Sequence, residues 1–212
     1  MNIDPCNTDN PKDPSASSDG VCVRPLWRFL YLLVAPLTGW KRIKNAAYSS
    51  YSFARHLFFP LLALMAVSRF ALLIYDPEET LVHCLQMSIS LFVAGFAGYY
   101  SIVALGRTFL PPVAREKIDT PFGKVYVMTC LSVLALAISI LELVPGLGVI
   151  FIVVPIYASY LMVKGVRFLR VPRHEEMPVA ILMTLLMLAV PMVIFFILEW
   201  LMPAAQTGTA AY

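Results

Sequence analysis

The stretch Val154-Pro155-Ile156-Tyr157-Ala158-Ser159-Tyr160-Leu161-Met162-Val163-Lys164-Gly165-Val166-Arg167-Phe168-Leu169-Arg170-Val171-Pro172 decides the fold. It opens as the end of a long apolar run, carries two tyrosines, and passes without a break into a basic segment closed by a proline. An apolar helix that ends in Lys164, Arg167 and Arg170 is leaving a bilayer on the side where positive charge collects. Tyr157 and Tyr160 share one helix face, and Lys164 and Arg167 follow on roughly the same side. Gly165 lets another backbone approach as the helix emerges, and the tyrosine face is expected to pack against the segment around Trp40, closing the inner end of the bundle.

Outward from this stretch the chain holds five long apolar segments, approximately Leu57–Tyr75, Leu81–Leu105, Val125–Val144, Val149–Phe168 and Pro178–Met202. Each is long enough for a hydrocarbon core of ~30 Å at about 1.5 Å of rise per residue. The runs are continuous rather than alternating in polarity, which selects helices over barrel strands. Composition agrees: 59% of the 212 residues are hydrophobic, mean hydropathy is +0.76 and only 14% are charged, against about 25% charged in a soluble domain. The expected fold class is all-α, a polytopic membrane helix bundle of five transmembrane helices with N-terminal interfacial amphipathic helices.

The connections set the orientation. Asp76-Pro77-Glu78-Glu79-Thr80 and Pro145-Gly146-Leu147-Gly148 contain no Lys or Arg, and neither does the tail after Met202. The connection holding Arg107, Arg115, Lys117 and Lys124 is basic, as is the one holding Lys164, Arg167, Arg170 and Arg173. Positive charge marks the cytoplasmic side, so the N-terminus is expected inside and the C-terminus outside. Pro111-Pro112 and Pro121 make the basic connection between the second and third spans read as an irregular or interfacial loop.

Residues 1–22 are rich in Asp, Asn, Ser and Pro and read as a disordered cytoplasmic tail without a cleaved signal peptide. Residues 23–203 form the membrane domain, and 204–212 a short extracytoplasmic tail. Between Arg24 and Lys44, Trp27, Arg28, Tyr31, Trp40, Lys41 and Arg42 mix aromatic and basic side chains, as segments lying in a headgroup layer do. Pro36 divides this part into two short helices. Cys6, Cys22, Cys84 and Cys130 show no metal-ligand spacing and read as unpaired thiols.

Charge inside an apolar span is expensive, by ~2.5–3.5 kcal/mol on insertion scales, so Arg69 stands out. Counted from the outer ends, Glu142 and Glu199 nearly match it in depth, and His83 and Gln86 lie close by. These five residues form a candidate polar cluster in the outer half, read either as a structural ion pair or as an ion or proton position. Gln86, Ser90, Ala94 and Gly98 recur on one face of the second span, as do Ser132, Ala135, Ser139 and Glu142 on the third. Such stripes suit close helix packing or the lining of a water-filled path. No nucleophile–base pair, metal constellation or nucleotide loop is apparent, so no enzyme activity, cofactor, metal or nucleic-acid partner is expected.

The phrases Pro36-x-x-x-Trp40-x-x-Ile43 and Tyr157-x-x-Tyr160-Leu161-x-x-x-Gly165, with Pro172 beyond, resemble bacterial members of the Yip1 family of small polytopic membrane proteins. The resemblance runs from about Leu26 to Met202. It implies five spans, a cytosolic N-terminus and an integral membrane protein without a defined reaction. Eukaryotic Yip1-like proteins bind small GTPases and one another. Their cytosolic Asp-Leu-Tyr-Gly-Pro phrase is absent here, so GTPase binding does not carry over. Met177-Pro178 departs from the family pattern and leaves the start of the last helix open.

Two functions from different classes follow. One is a non-catalytic scaffold of the bacterial inner membrane that packs with itself or with other membrane proteins and meets anionic lipid through its basic inner face. The other is a small transporter or channel built on the outer polar cluster.

Overall fold

The computed structural model describes residues 23–75, 79–143 and 150–202, and over these the chain is helix and short connections. The two tails, the Asp76-Pro77-Glu78 connection and the Pro145-Gly146-Leu147-Gly148 connection lie outside the described residues, as do Cys6 and Cys22. In chain order the helices are α1 (Val23–Val34), α2 (Pro36–Asn45), α3 (Ser50–Tyr75), α4 (Leu81–Phe109), α5 (Pro112–Asp119), α6 (Pro121–Leu143), α7 (Ile150–Val166) and α8 (Arg173–Leu201).

Four of these, α3, α4, α6 and α8, are long and apolar enough to cross a membrane. Among the described residues, the segment expected to span Val149–Phe168 is regular α-helix over the 17 residues of α7. It then tightens into a 3-10 turn, Arg167–Leu169, and stops where Arg170 adopts a left-handed conformation at φ 58°. Pro172, two residues on, disfavours continued helix in the residue before it and then caps the start of α8.

The other helices outrun their apolar segments at the basic end. α3 begins at Ser50, α6 at Pro121 and α8 at Arg173, ahead of Pro178. Hydropathy locates the apolar run, whereas a helix continues until something breaks it. The connection between α4 and α6 is likewise not irregular, because Pro112 occupies the first turn of α5, where its missing N–H costs nothing. Arg107 at the end of α4 ties to Asp119 at the end of α5, with Nη2 2.6 Å from Oδ1. Within α3 a single π turn, Ala54–Phe58, precedes Pro60. The wider turn accommodates a proline that cannot donate to the carbonyl four residues back.

α6 is the centre of the bundle and packs against α3, α4, α7 and α8. Nine consecutive residues, Val125 to Val133, are buried, so the helix is covered on all sides over more than two turns. α4 and α8 pair extensively. A Cβ added at Gly98 would stand 3.2 Å from Pro191 of α8, and Ser90 and Ala94 on the same face are buried. The stripe on α4 is thus a packing surface. On α6, Ser132, Ala135 and Ser139 are buried in the same way.

Candidate functional site

The sequence-derived polar residues divide into three small groups. Arg69 begins the 3-10 turn Arg69–Ala71 inside α3, and its Nη1 stands 3.3 Å from Glu142 Oε1 on α6. Ser68 Oγ, itself buried, lies 2.7 Å from Glu142 Oε2 and 2.8 Å from the Met65 carbonyl. The Arg69 Nε is buried without a hydrogen-bond partner among the described residues. The side chains of Arg69 and Glu142 are 25% and 12% exposed, so the pair is largely but not fully buried.

His83 does not join Arg69. Its Nδ1 lies 2.6 Å from Glu79 Oε2, and its backbone N–H donates to Thr80 Oγ1 at the start of α4. Gln86 donates to the Met202 carbonyl at 2.6 Å, tying the start of α4 to the end of α8. Glu199 makes no ion pair among the described residues. Of the five residues of the expected cluster, Arg69 and Glu142 therefore meet, and among the described residues the other three do not pair with them. Buried hydroxyls of Ser88, Ser90, Ser132 and Thr184 have no hydrogen-bond partner among the described residues. Ser88 and Thr184 carried no sequence signal beyond their place in apolar runs.

At the opposite end the sequence motifs do meet. Trp40 of α2 is 1% exposed, and its indole N–H donates to the Leu161 carbonyl of α7 at 3.1 Å. Its ring lies 5.3 Å, centroid to centroid, from that of Tyr126 on α6. Tyr126 in turn donates its hydroxyl to the Met162 carbonyl at 2.9 Å. Gly165 makes room for both rings, since a Cβ there would stand 2.5 Å from Tyr126 Cε2 and 2.8 Å from Trp40 Cε2. The approach that Gly165 permits is thus by side chains, not by a second backbone.

Tyr157 reaches α1 by donating its hydroxyl to the Leu33 carbonyl. Tyr160 stays 46% exposed, with Lys164 Nζ 5.3 Å from its ring centre. The face that packs on α2 is therefore the Leu161–Gly165 side, with the two tyrosines at its margin. Tyr126, which organises this end, is a single aromatic in an apolar run and is not distinguishable by pattern. Pro36 opens α2 and Pro172 precedes α8, so all six motif residues surround one end of the bundle.

Lys44 closes this end from below α2. Its Nζ donates to the Phe168 carbonyl at 2.5 Å and lies 5.4 Å from the Phe122 ring. Burial away from water pushes its pKa below the usual lysine value, and Arg170 adds to the shift. Among the described residues no group of His, Cys, Asp and Glu could hold a metal ion, and the resolved cysteines Cys84 and Cys130 are free and buried. No protein-family model, curated protein or solved structure matches this chain.

Proposed function

We propose that the chain is a non-catalytic, Yip1-type protein of the bacterial inner membrane that organises other membrane components through helix packing and a basic cytoplasmic face. In this reading it crosses five times. α7 counts as a span because its 17 residues and the following 3-10 turn together rise roughly 30 Å at ~1.5 and ~2.0 Å per residue. The Trp40 end, where Arg28, Lys41, Arg42, Lys44, Arg170 and Arg173 gather, then faces the cytoplasm by the positive-inside rule. Its partners are the bilayer with its anionic lipids, a second copy, or other membrane proteins.

The observation that carries the scaffold reading is the enclosed central helix. A transport path needs a polar or hydrated lane past the core, whereas α6 is covered all round from Val125 to Val133. The stripes on α4 and α6 support it too, because they are spent on close helix contact.

The transporter reading draws on one feature, the Arg69–Glu142 pair with its unpartnered Nε. Reconstitution in liposomes separates the two. The scaffold reading expects no saturable ion or solute flux above that of protein-free vesicles. Saturable flux abolished by Glu142→Ala, with the fold intact, would replace it by the transporter.

A further inference from the structure

The α1–α2 hairpin carries an open cleft of about 320 Å³ lined by Arg28, Arg42, Asn45 and Ala46. We infer that this cleft binds the phosphate of an anionic phospholipid, an assignment that rests on the reading of this end as the lipid-engaging cytoplasmic face.

Both guanidiniums are held in place by aromatic rings rather than by carboxylates. Arg28 donates from Nη1 to the Tyr48 hydroxyl at 2.9 Å, and its Cζ lies 5.6 Å from the centre of that ring. Arg42 stacks over Tyr31 at 4.0 Å. Among the described residues neither forms an ion pair, whereas Arg69, Arg107 and Arg167 each have a carboxylate. Stacking fixes the plane of a guanidinium and leaves its edge donors free. Arg28 spends one donor on Tyr48, and a guanidinium has five. Two such groups with Asn45 line one cationic cleft, and among the described residues no carboxylate pairs with either arginine. That chemistry matches phosphate oxygens.

The neighbouring surface selects a lipid over free phosphate. Phe29 and Leu32 turn the other face of α1 into the core, at 1% and 0% exposure. Trp27, Leu30 and Val34 on the outward face, and Leu37 at the start of α2, are 66%, 41%, 84% and 51% exposed. An apolar strip beside a cationic cleft suits an amphiphile whose headgroup enters the cleft while its chains lie along the strip.

The test uses the full-length protein in detergent, titrated with phosphatidylglycerol and read by native mass spectrometry, with phosphatidylcholine and inorganic phosphate as separate arms. One phosphatidylglycerol should bind ahead of the rest, and phosphatidylcholine should not replace it. R28Q/R42Q should weaken this binding about thirty-fold, from roughly one charge contribution at each arginine. Arg42→Gln alone, at an exposed position, should weaken it about five-fold and decides the matter if the double variant does not fold.

R115Q/K117Q removes the same charge from α5 and should have a much smaller effect. Equal losses in the two double variants would overturn the site while leaving a diffuse basic face, and with it the proposed function, intact. Displacement of the lipid by millimolar inorganic phosphate would overturn the lipid assignment. If the wild-type protein shows no preference for phosphatidylglycerol over phosphatidylcholine, both this inference and the lipid-engaging reading fall together.

Discussion

Trp40 and Leu161 lie 121 positions apart in the chain, and the Trp40 indole N–H donates to the Leu161 carbonyl at 3.1 Å. This contact fastens the N-terminal hairpin to the point where α7 leaves the bundle. Gly165, one turn further on, decides whether it can form. An alanine there would put a methyl group 2.5 Å from one ring and 2.8 Å from the other. Alanine gains ~1 kcal/mol of helix propensity over glycine, and overpacking costs about 1–3 kcal/mol. Gly165→Ala should therefore lower stability, and Gly165→Leu should lower it more. Trp40→Phe keeps an aromatic ring but loses the hydrogen bond, about 1 kcal/mol, and adds the cost of the space left by the buried indole. Thermal unfolding in detergent gives the order, and a Gly165→Ala protein more stable than wild type would contradict the packing.

Arg69 and Glu142 should behave as a coupled pair. Removing one partner of a buried pair costs ~3–5 kcal/mol, while an exposed pair contributes under about 1. With Arg69 a quarter exposed, Arg69→Leu should fall between these limits, because Glu142 would keep only Ser68. The double variant Arg69→Leu/Glu142→Leu should recover part of the loss. Strict additivity of the two single changes in an unfolding cycle would show that the pair is not structural.

Lys44 makes stability depend on pH. Its pKa in the folded chain is lowered by burial first and by Arg170 second, from an ordinary 10.5. The unfolded chain therefore binds the proton more tightly. The penalty for holding Lys44 charged in the fold is full at lower pH and is relieved as pH rises through the lowered pKa toward 10.5. Wild-type stability measured against Lys44→Gln should rise over that alkaline window. A flat difference would mean that Lys44 is solvated.

Ala47, just after α2, has φ 44° and is exposed. A left-handed conformation costs a residue with a Cβ about 1–2 kcal/mol, and glycine is free of that cost. Ala47→Gly should accordingly raise the unfolding midpoint, against the usual direction for a glycine substitution. A lowered midpoint would show that the turn tolerates alanine without strain.

The apolar runs of α3, α4, α6 and α8 were legible because each is long, continuous and bounded by charge or proline. Depth, counted along the sequence from the rise per residue, offered Glu142 and Glu199 alike as partners for Arg69, and the fold pairs it with Glu142. Which way each side chain points around the bundle cannot be counted. Glu199 nearly matches Arg69 in depth and His83 and Gln86 lie close by, yet among the described residues none of the three pairs with it. α5 was hidden because Pro111-Pro112 reads equally well as a breaker and as a helix start. The part of Tyr126 was hidden because a lone aromatic in an apolar run gives no sign that two other helices will close over it.

The number of crossings is tested most directly by thiol labelling in intact cells, with Cys6 and Cys22 replaced by serine. Single cysteines are placed at Glu116 on α5 and at Met202 beyond α8, both exposed. Five crossings put these positions on opposite sides. An impermeant thiol reagent should then label Met202→Cys and spare Glu116→Cys until the cells are opened. If α7 does not cross, α8 runs the other way and Met202 returns to the side of Glu116. Equal protection of both positions in intact cells would contradict the five-span bundle and the cytoplasmic face built on it.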